Sequence, residues 1–146
     1  MPISRQDVLL KEFDWFATDS AGELATCSSA GWGEIPAIVL QQCTLADSPM
    51  EHIDRLIAVM PEIGGHRVEA HGPGTCQEWP LLGNRGLYVY DWGHGSTYER
   101  IIVPTVPVRA DTLCSEILAL LRGVTVSQFT FACCRSFPGA GLGLPV

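Results

Sequence analysis

The segment "LYVYDW" at 87–92 constrains the fold most, because it is apolar on both of its faces. In an extended strand alternate side chains point to opposite sides, so one side here carries Leu and Val while the other carries Tyr, Tyr and Trp. A strand of this kind belongs in the middle of a sheet. The turn-like "GHGS" and the strand-like "TYERIIV" follow it, and together they predict a β-hairpin.

A second hairpin is predicted near the start of the chain. "FDWFAT" and "ELATCSS" are strand-like runs joined by "DSAG", whose Asp and Gly suit a turn. Further on, "HRVEAH" predicts at most one short strand within the Gly- and Pro-rich run 64–86. "VTVSQFTFACC" is rich in β-branched and aromatic residues and predicts a last strand.

Four segments have the capping signals or the periodicity of helices. Ser4 with Asp7 predicts a capped start for the first, and Asp111 is the predicted N-cap of the last. The four segments are "RQDVLLKE", "AIVLQQC", "PMEHIDRLIAVMP" and "TLCSEILALLRG".

Together these elements predict one α+β domain over residues 1–146. We expect an antiparallel or mixed sheet of about five to six strands with helices packed on one face. The last residues, 136–146, contain too much Gly and Pro for regular structure and predict an irregular C-terminal tail.

The charge of the chain is unevenly distributed. Residues 1–65 contain three basic and ten acidic residues, a net charge of −7, whereas residues 66–146 contain six of each. Such acidity disfavours nucleic acid as a partner and permits a basic protein. The other explanation is that acidity simply keeps the protein in solution.

The chain predicts a cytoplasmic protein that binds neither membrane nor cofactor. It shows neither a signal-peptide pattern at its start nor an apolar run of membrane-spanning length. Its six cysteines lack CxxC spacing and are expected to be reduced and mostly buried, Cys114 in a helix core and Cys133 and Cys134 in a strand.

A metal-dependent hydrolase is one functional hypothesis. Asp14 and Asp91 each precede a tryptophan in an aromatic strand, where an acid is out of place, and the histidines include His71 and His94. These four residues could line a cleft between the two hairpins. Strand-end acids that accept hydrogen bonds explain the two aspartates without any chemistry, and we favour this explanation; we predict neither a catalytic residue nor a metal ligand.

Recognition of a protein partner is the leading hypothesis. The predicted partner-binding residues are Asp19, Glu23, Trp32 and Glu34, in acidic and Gly-rich turns. A tryptophan between glycines, such as Trp32, is either a lid on the core or an interface anchor, and Trp79 is a second such candidate. A homodimer formed through an exposed strand edge is a third hypothesis.

The chain resembles small, mostly uncharacterised bacterial proteins that share a DW-x-A-x-D-x-x-G hairpin and a Y-x-R-I-x-x-P strand. Both motifs are present here, as "DWFATDSAG" and "YERIIVP". Some of these proteins resemble immunity proteins that bind and neutralise a cognate toxin. The resemblance therefore implies a protein that binds a toxin, and it implies that Trp15, Asp19, Gly22, Gly31 and Gly33 shape the hairpin. The uneven charge of the chain predicts that the partner is basic.

Overall fold

The computed structural model describes residues 4–8, 13–42, 52–69, 77–93, 96–121 and 123–139 of the 146-residue chain. The helices are α1 (Arg5–Val8), α2 (Ala37–Gln42), α3 (His52–Val59), α4 (Glu78–Asn84) and α5 (Ser115–Leu120), with a 3-10 helix at Ala110–Thr112. The strands are β1 (Asp14–Thr18), β2 (Leu24–Ser28), β3 (His66–Val68), β4 (Tyr88–Trp92), β5 (Tyr98–Pro104), β6 (Val124–Thr125) and β7 (Ser136–Phe137).

The strands form one mixed sheet, which confirms the α+β prediction. Their order is β3-β5-β4-β2-β1-β6, and β7 also pairs with β5. The hairpins β1–β2 and β4–β5 are antiparallel, while β2 and β4 run parallel to each other. The doubly apolar strand β4 lies between β2 and β5, in the middle of the sheet as expected.

The sheet separates two hydrophobic clusters. On one face, α3 and α4 bury Leu56 and Leu82 against the sheet, and α5 packs there through partly buried side chains and is followed by the buried Leu121. On the other face, the cover comes from α2, through Val39, and from the segment 126–137, which carries Phe131. Three helices therefore share one face, and α2 together with aromatic side chains of the C-terminal segment covers the opposite one.

The predicted capped start of α1 is present. The Asp7 backbone N–H donates to Ser4 Oγ at 3.2 Å, and the Ser4 backbone N–H donates to Asp7 Oδ2 at 2.7 Å. This reciprocal pair satisfies backbone donors that the first turn of a helix leaves open.

Helix α4 is the main element that the sequence pattern missed. Pro80 lies in its first turn, where a missing N–H costs nothing, and Gly83 lets the helix approach the sheet closely. A Cβ at Gly83 would lie 2.5 Å from Ile102 Cγ2. The glycine and proline that suggested a loop are therefore compatible with a helix pressed against β5.

Three boundaries differ from the predictions. The last predicted strand pairs only over Val124–Thr125, because the following segment leaves the sheet edge to cover its face. The predicted cap Asp111 lies in the 3-10 helix, and α5 begins only at Ser115, after extended backbone at Leu113 and Cys114. The predicted tail opens with β7, and residues 140–146 lie outside the described part.

Among the described residues, no helix is long and apolar enough to cross a membrane.

Candidate functional site

A tight turn after β2 carries Trp32 at one end of the sheet. Ser29 is buried, and its backbone carbonyl accepts hydrogen bonds from the backbone N–H groups of Trp32 at 3.0 Å and Gly33 at 2.7 Å. The Ser29 hydroxyl accepts two more, from Phe13 N at 3.0 Å and Gly31 N at 3.3 Å. One buried serine thus ties the turn to the start of β1.

The turn packs against the sheet and leaves its tryptophan outside. A Cβ at Gly33 would lie 2.8 Å from Tyr98 Oη and 2.9 Å from Trp92 Cδ2, so only glycine permits this approach. Trp32 itself is 62% exposed. The sequence allowed Trp32 to be either a lid on the core or an interface anchor, and the structure shows that its indole does not cover the core.

An aromatic platform supports the turn from inside. Tyr98 Oη donates to the Glu34 carbonyl at 2.8 Å and accepts from Trp15 Nε1 at 3.0 Å. The Tyr98 ring also packs edge-on against Trp15 and Trp92, with ring centroids 5.4 and 4.9 Å apart, and stacks on Phe137. Because the platform is buried and hydrogen-bonded, the turn that displays Trp32 is held in place.

Acidic residues cross the sheet at the same end. Asp14 on β1 and Asp91 on β4 both pair with Ser28 on β2, and Asp91 pairs with Glu99 on β5. Directly paired residues share a face of the sheet, so these three acids form a row. Glu34 is exposed beside Trp32. We call Trp32, Glu34 and this row of Asp14, Asp91 and Glu99 the Trp32 end.

The four predicted partner-binding residues do not come together. Asp19 and Glu23 flank the β1–β2 turn at one end of β2, whereas Trp32 and Glu34 follow its other end. A five-residue strand separates the two pairs by about 16 Å.

Asp19 is buried, with 3% exposure, and its carboxylate is used inside the protein. Oδ1 accepts hydrogen bonds from the backbone N–H groups of Ala21 and Glu23 at 3.0 and 2.9 Å. Oδ2 accepts from Phe131 N at 2.8 Å and so ties the C-terminal segment to the hairpin. Asp19 is therefore a structural residue and, because it is buried, does not belong to the predicted partner-binding surface.

Glu23 is half-buried and accepts a hydrogen bond from Tyr88 Oη at 3.0 Å. Burial, followed by this hydrogen bond to a carboxylate, raises the pKa of Tyr88 well above its usual range. The Glu23 carboxylate therefore stabilises the sheet by accepting a hydrogen bond from a side chain of β4. Other positions of the hairpin motif also have local structural roles. Trp15 is buried, and Gly22 and Gly31 adopt left-handed φ angles of +79° and +86°.

The residues of the hydrolase hypothesis are only partly placed. Asp14 and Asp91 share the acidic row but are separated by β2, and His71 and His94 lie outside the described residues. In the described ranges, no group of three or more His, Cys, Asp or Glu side chains could hold a metal ion. His52 and His66 each bond within the fold, to the Leu120 carbonyl and to Asn84 Oδ1, both at 2.7 Å.

Trp79, the second candidate for a lid or an interface anchor, is 6% exposed, because α4 directs it into the helical face of the core. The prediction that the cysteines are mostly buried is wrong for those that the structure describes. Of the four cysteines that the structure describes, only Cys27 is buried, whereas Cys114 and Cys133 are exposed; Cys43 and Cys76 lie outside the described residues. All four described thiols are free.

The sequence pattern did not single out Glu69. Its carboxylate pairs with Arg100 through two bonds, Nε to Oε1 at 2.5 Å and Nη2 to Oε2 at 3.0 Å. Arg67 Nη2 lies 3.2 Å and Arg135 Nε 3.9 Å from the same Oε2. Hydrogen bonding to Arg100 chiefly holds the pKa of Glu69 below its usual value. The one sequence signal for this cluster is the spacing of Arg67, in β3, and Glu69, directly after β3, which places the two side chains on the same side of an extended chain.

Comparison of the chain with models of known families, with curated proteins and with solved structures gives no significant match.

Proposed function

We propose that this protein is a non-enzymatic binding protein of immunity or inhibitor type, and that its Trp32 end binds a basic protein partner. The observation that carries the proposal is the 62% exposure of Trp32 on a turn fixed by Ser29 and by Tyr98. Tryptophan is enriched among the few residues that dominate binding energy at protein interfaces. A rigid support reduces the entropy lost when such a residue is buried by a partner.

The carboxylates of the Trp32 end support a basic partner. Glu34 is exposed next to the tryptophan. The row of Asp14, Asp91 and Glu99 lies at the same end of the sheet, on the face opposite to Trp15, Trp92 and Tyr98. Complementary charge raises the association rate and fixes the orientation of the two proteins. Tryptophan rings attract the cationic groups of Lys and Arg side chains, which a basic partner would supply.

Affinity capture tests the proposal. The protein is immobilised, a lysate of the cells that make it is passed over it, and bound protein is eluted with increasing salt and identified by mass spectrometry. We expect one stoichiometric basic protein that elutes with salt, and we expect Trp32→Ala to weaken its binding by roughly 30-fold or more, as for an interface hot spot.

The matched charge variants are Glu34→Lys and Glu116→Lys. Both reverse one exposed carboxylate, but Glu116 lies on α5, away from the Trp32 end. We expect Glu34→Lys to reduce capture and Glu116→Lys to leave it unchanged. Equal capture by wild type, Trp32→Ala and Glu34→Lys would overturn the proposal.

A further inference from the structure

The edge of β5 that faces away from β4 is covered by two separate strands. β3 pairs with residues 102–104 of β5 and β7 pairs with residues 98–99, both antiparallel. Backbone hydrogen bonds extend each pairing by one residue, from Glu69 N to the Ile101 carbonyl at 2.8 Å and from Arg100 N to the Arg135 carbonyl at 2.7 Å. Glu69 and Arg135 therefore flank a junction in the sheet edge.

The junction holds more positive than negative charge. Arg100 is buried and donates hydrogen bonds to both carboxylate oxygens of Glu69. It also donates to the carbonyls of Phe131 and Ala132, so its position is fixed from several sides. One carboxylate neutralises one guanidinium. Arg67 and Arg135 approach the same Glu69 oxygen, and their side chains are 64% and 84% exposed.

A surface cavity of about 320 Å³ opens at this junction. It is lined by Arg67, Val68, Glu69, Glu99, Arg100 and Arg135, which gives three positive and two negative side chains. The Glu99 carboxylate accepts a hydrogen bond from Thr97 Oγ1 at 3.3 Å, and its stem lies against Gly93. Arg67 and Arg135 thus line the cavity, each with a guanidinium nitrogen within 4 Å of a carboxylate that Arg100 already binds.

We propose that this cavity binds a small molecule through an oxyanion group, a phosphate or a carboxylate, held between Arg67 and Arg135. Guanidinium groups bind such oxyanions through paired, charge-assisted hydrogen bonds. A bound anion also relieves the repulsion between arginines that share one carboxylate. The cavity volume is at the lower end of the range for small-molecule sites. The site shares Glu99 with the Trp32 end, but its proposed ligand-binding groups, Arg67 and Arg135, do not belong to that end, and the proposal does not depend on the proposed function.

Titration followed by NMR tests the site, with inorganic phosphate in one arm and citrate in the other, at constant ionic strength. We expect saturable shifts of the backbone amides of Val68, Glu69, Arg100 and Arg135 in at least one arm. The tighter arm identifies the class, a phosphate-bearing or a carboxylate-bearing ligand. Arg67→Gln and Arg135→Gln should each weaken binding about tenfold, as expected for loss of a charge-assisted bond.

Arg55→Gln is the matched control, because it removes one positive charge from an exposed position on α3. It should leave both titrations unchanged. The side chains of Arg67 and Arg135 are exposed, so neither substitution should unfold the protein, and a thermal melt checks this. Shifts that do not saturate in either arm, or that are equally weakened by all three variants, would overturn the proposal and indicate general charge screening.

Discussion

The carboxylate of Asp19 accepts three backbone hydrogen bonds at the β1–β2 turn, which explains why an acid stands at a buried position. An unsatisfied buried donor costs about 1–3 kcal/mol, so a side chain that satisfies several donors stabilises the fold strongly. Sequence reasoning could recognise Asp19 as a turn residue. It could not recognise the third bond, because Phe131 lies 112 residues further along the chain.

Substitution of Asp19 should therefore act on stability. We expect Asp19→Ala to lower the free energy of unfolding by roughly 3 kcal/mol, because it strands the N–H groups of Ala21, Glu23 and Phe131. Urea denaturation measures the change, and Ser20→Ala, at an exposed neighbouring position, is the control that should stay near zero. An Asp19→Ala protein as stable as wild type would contradict this assignment.

Glu69 should make stability depend on pH. Its pKa is lower in the folded protein than its usual value, so the stabilisation is complete above the unfolded-state pKa and is lost as the pH falls through the folded-state pKa. We expect Glu69→Gln to cost roughly 3 kcal/mol at pH 7, because it leaves the charge of Arg100 buried without its carboxylate partner.

The same substitution should cost less in acid. As the pH falls through the lowered folded-state pKa of Glu69, the wild-type carboxylate becomes protonated as well, so the two proteins should approach each other in stability. Denaturant unfolding across pH 3–7 gives both curves. A constant difference between them at every pH would show that the charge of Glu69 is not what stabilises the junction.

Cysteine reactivity should follow burial. Desolvation raises the pKa of the Cys27 thiol well above its usual value, with a further contribution from the nearby Asp14. We expect iodoacetamide to label Cys114 and Cys133 in the native protein and Cys27 only after unfolding, because the thiolate is the reactive form. Peptide mass spectrometry reads each site separately, and native labelling of Cys27 at the rate of Cys133 would contradict its placement in the core.

At the scale of elements, the sequence predicted those whose signal is local. The two hairpins, the capping of α1 and the central position of β4 all follow from alternation and turn residues within a few positions. Elements defined by distant contacts were missed or mistaken. Helix α4 is stabilised by its fit against β5, and the segment after β6 leaves the sheet because its phenylalanines cover the core.

The glycine of α4 provides a test at this scale. In an isolated helix Gly→Ala is favourable by about 1 kcal/mol. At Gly83 the added Cβ would lie 2.5 Å from Ile102 Cγ2 and 2.8 Å from His66 Cβ, so we expect Gly83→Ala to destabilise the protein by roughly 1–3 kcal/mol. Gly65→Ala is the control, since a Cβ added there would have Thr105 Oγ1 as its nearest neighbour, at an ordinary 3.8 Å. A more stable Gly83→Ala protein would argue against this packing.

At the scale of the whole molecule, the arrangement of the sheet divides the predicted binding residues between its two ends. The sequence grouped Asp19 and Glu23 with Trp32 and Glu34 because they are close along the chain. Strand β2 separates the two pairs, and pairing across β1, β2, β4 and β5 instead brings Asp14, Asp91 and Glu99 to the end that carries Trp32. Strand order determines this grouping, and a single sequence does not reveal it.

Site-specific photo-crosslinking tests the central claim, that the Trp32 end is the binding surface, most directly. A photoreactive phenylalanine analogue is placed at position 32 in one protein and at the exposed position 20, in the β1–β2 turn, in another. Each protein is irradiated with the captured partner. We predict a stoichiometric cross-link from position 32 and none from position 20. A cross-link from position 20 alone would contradict the claim and move the interface to the opposite end of the sheet.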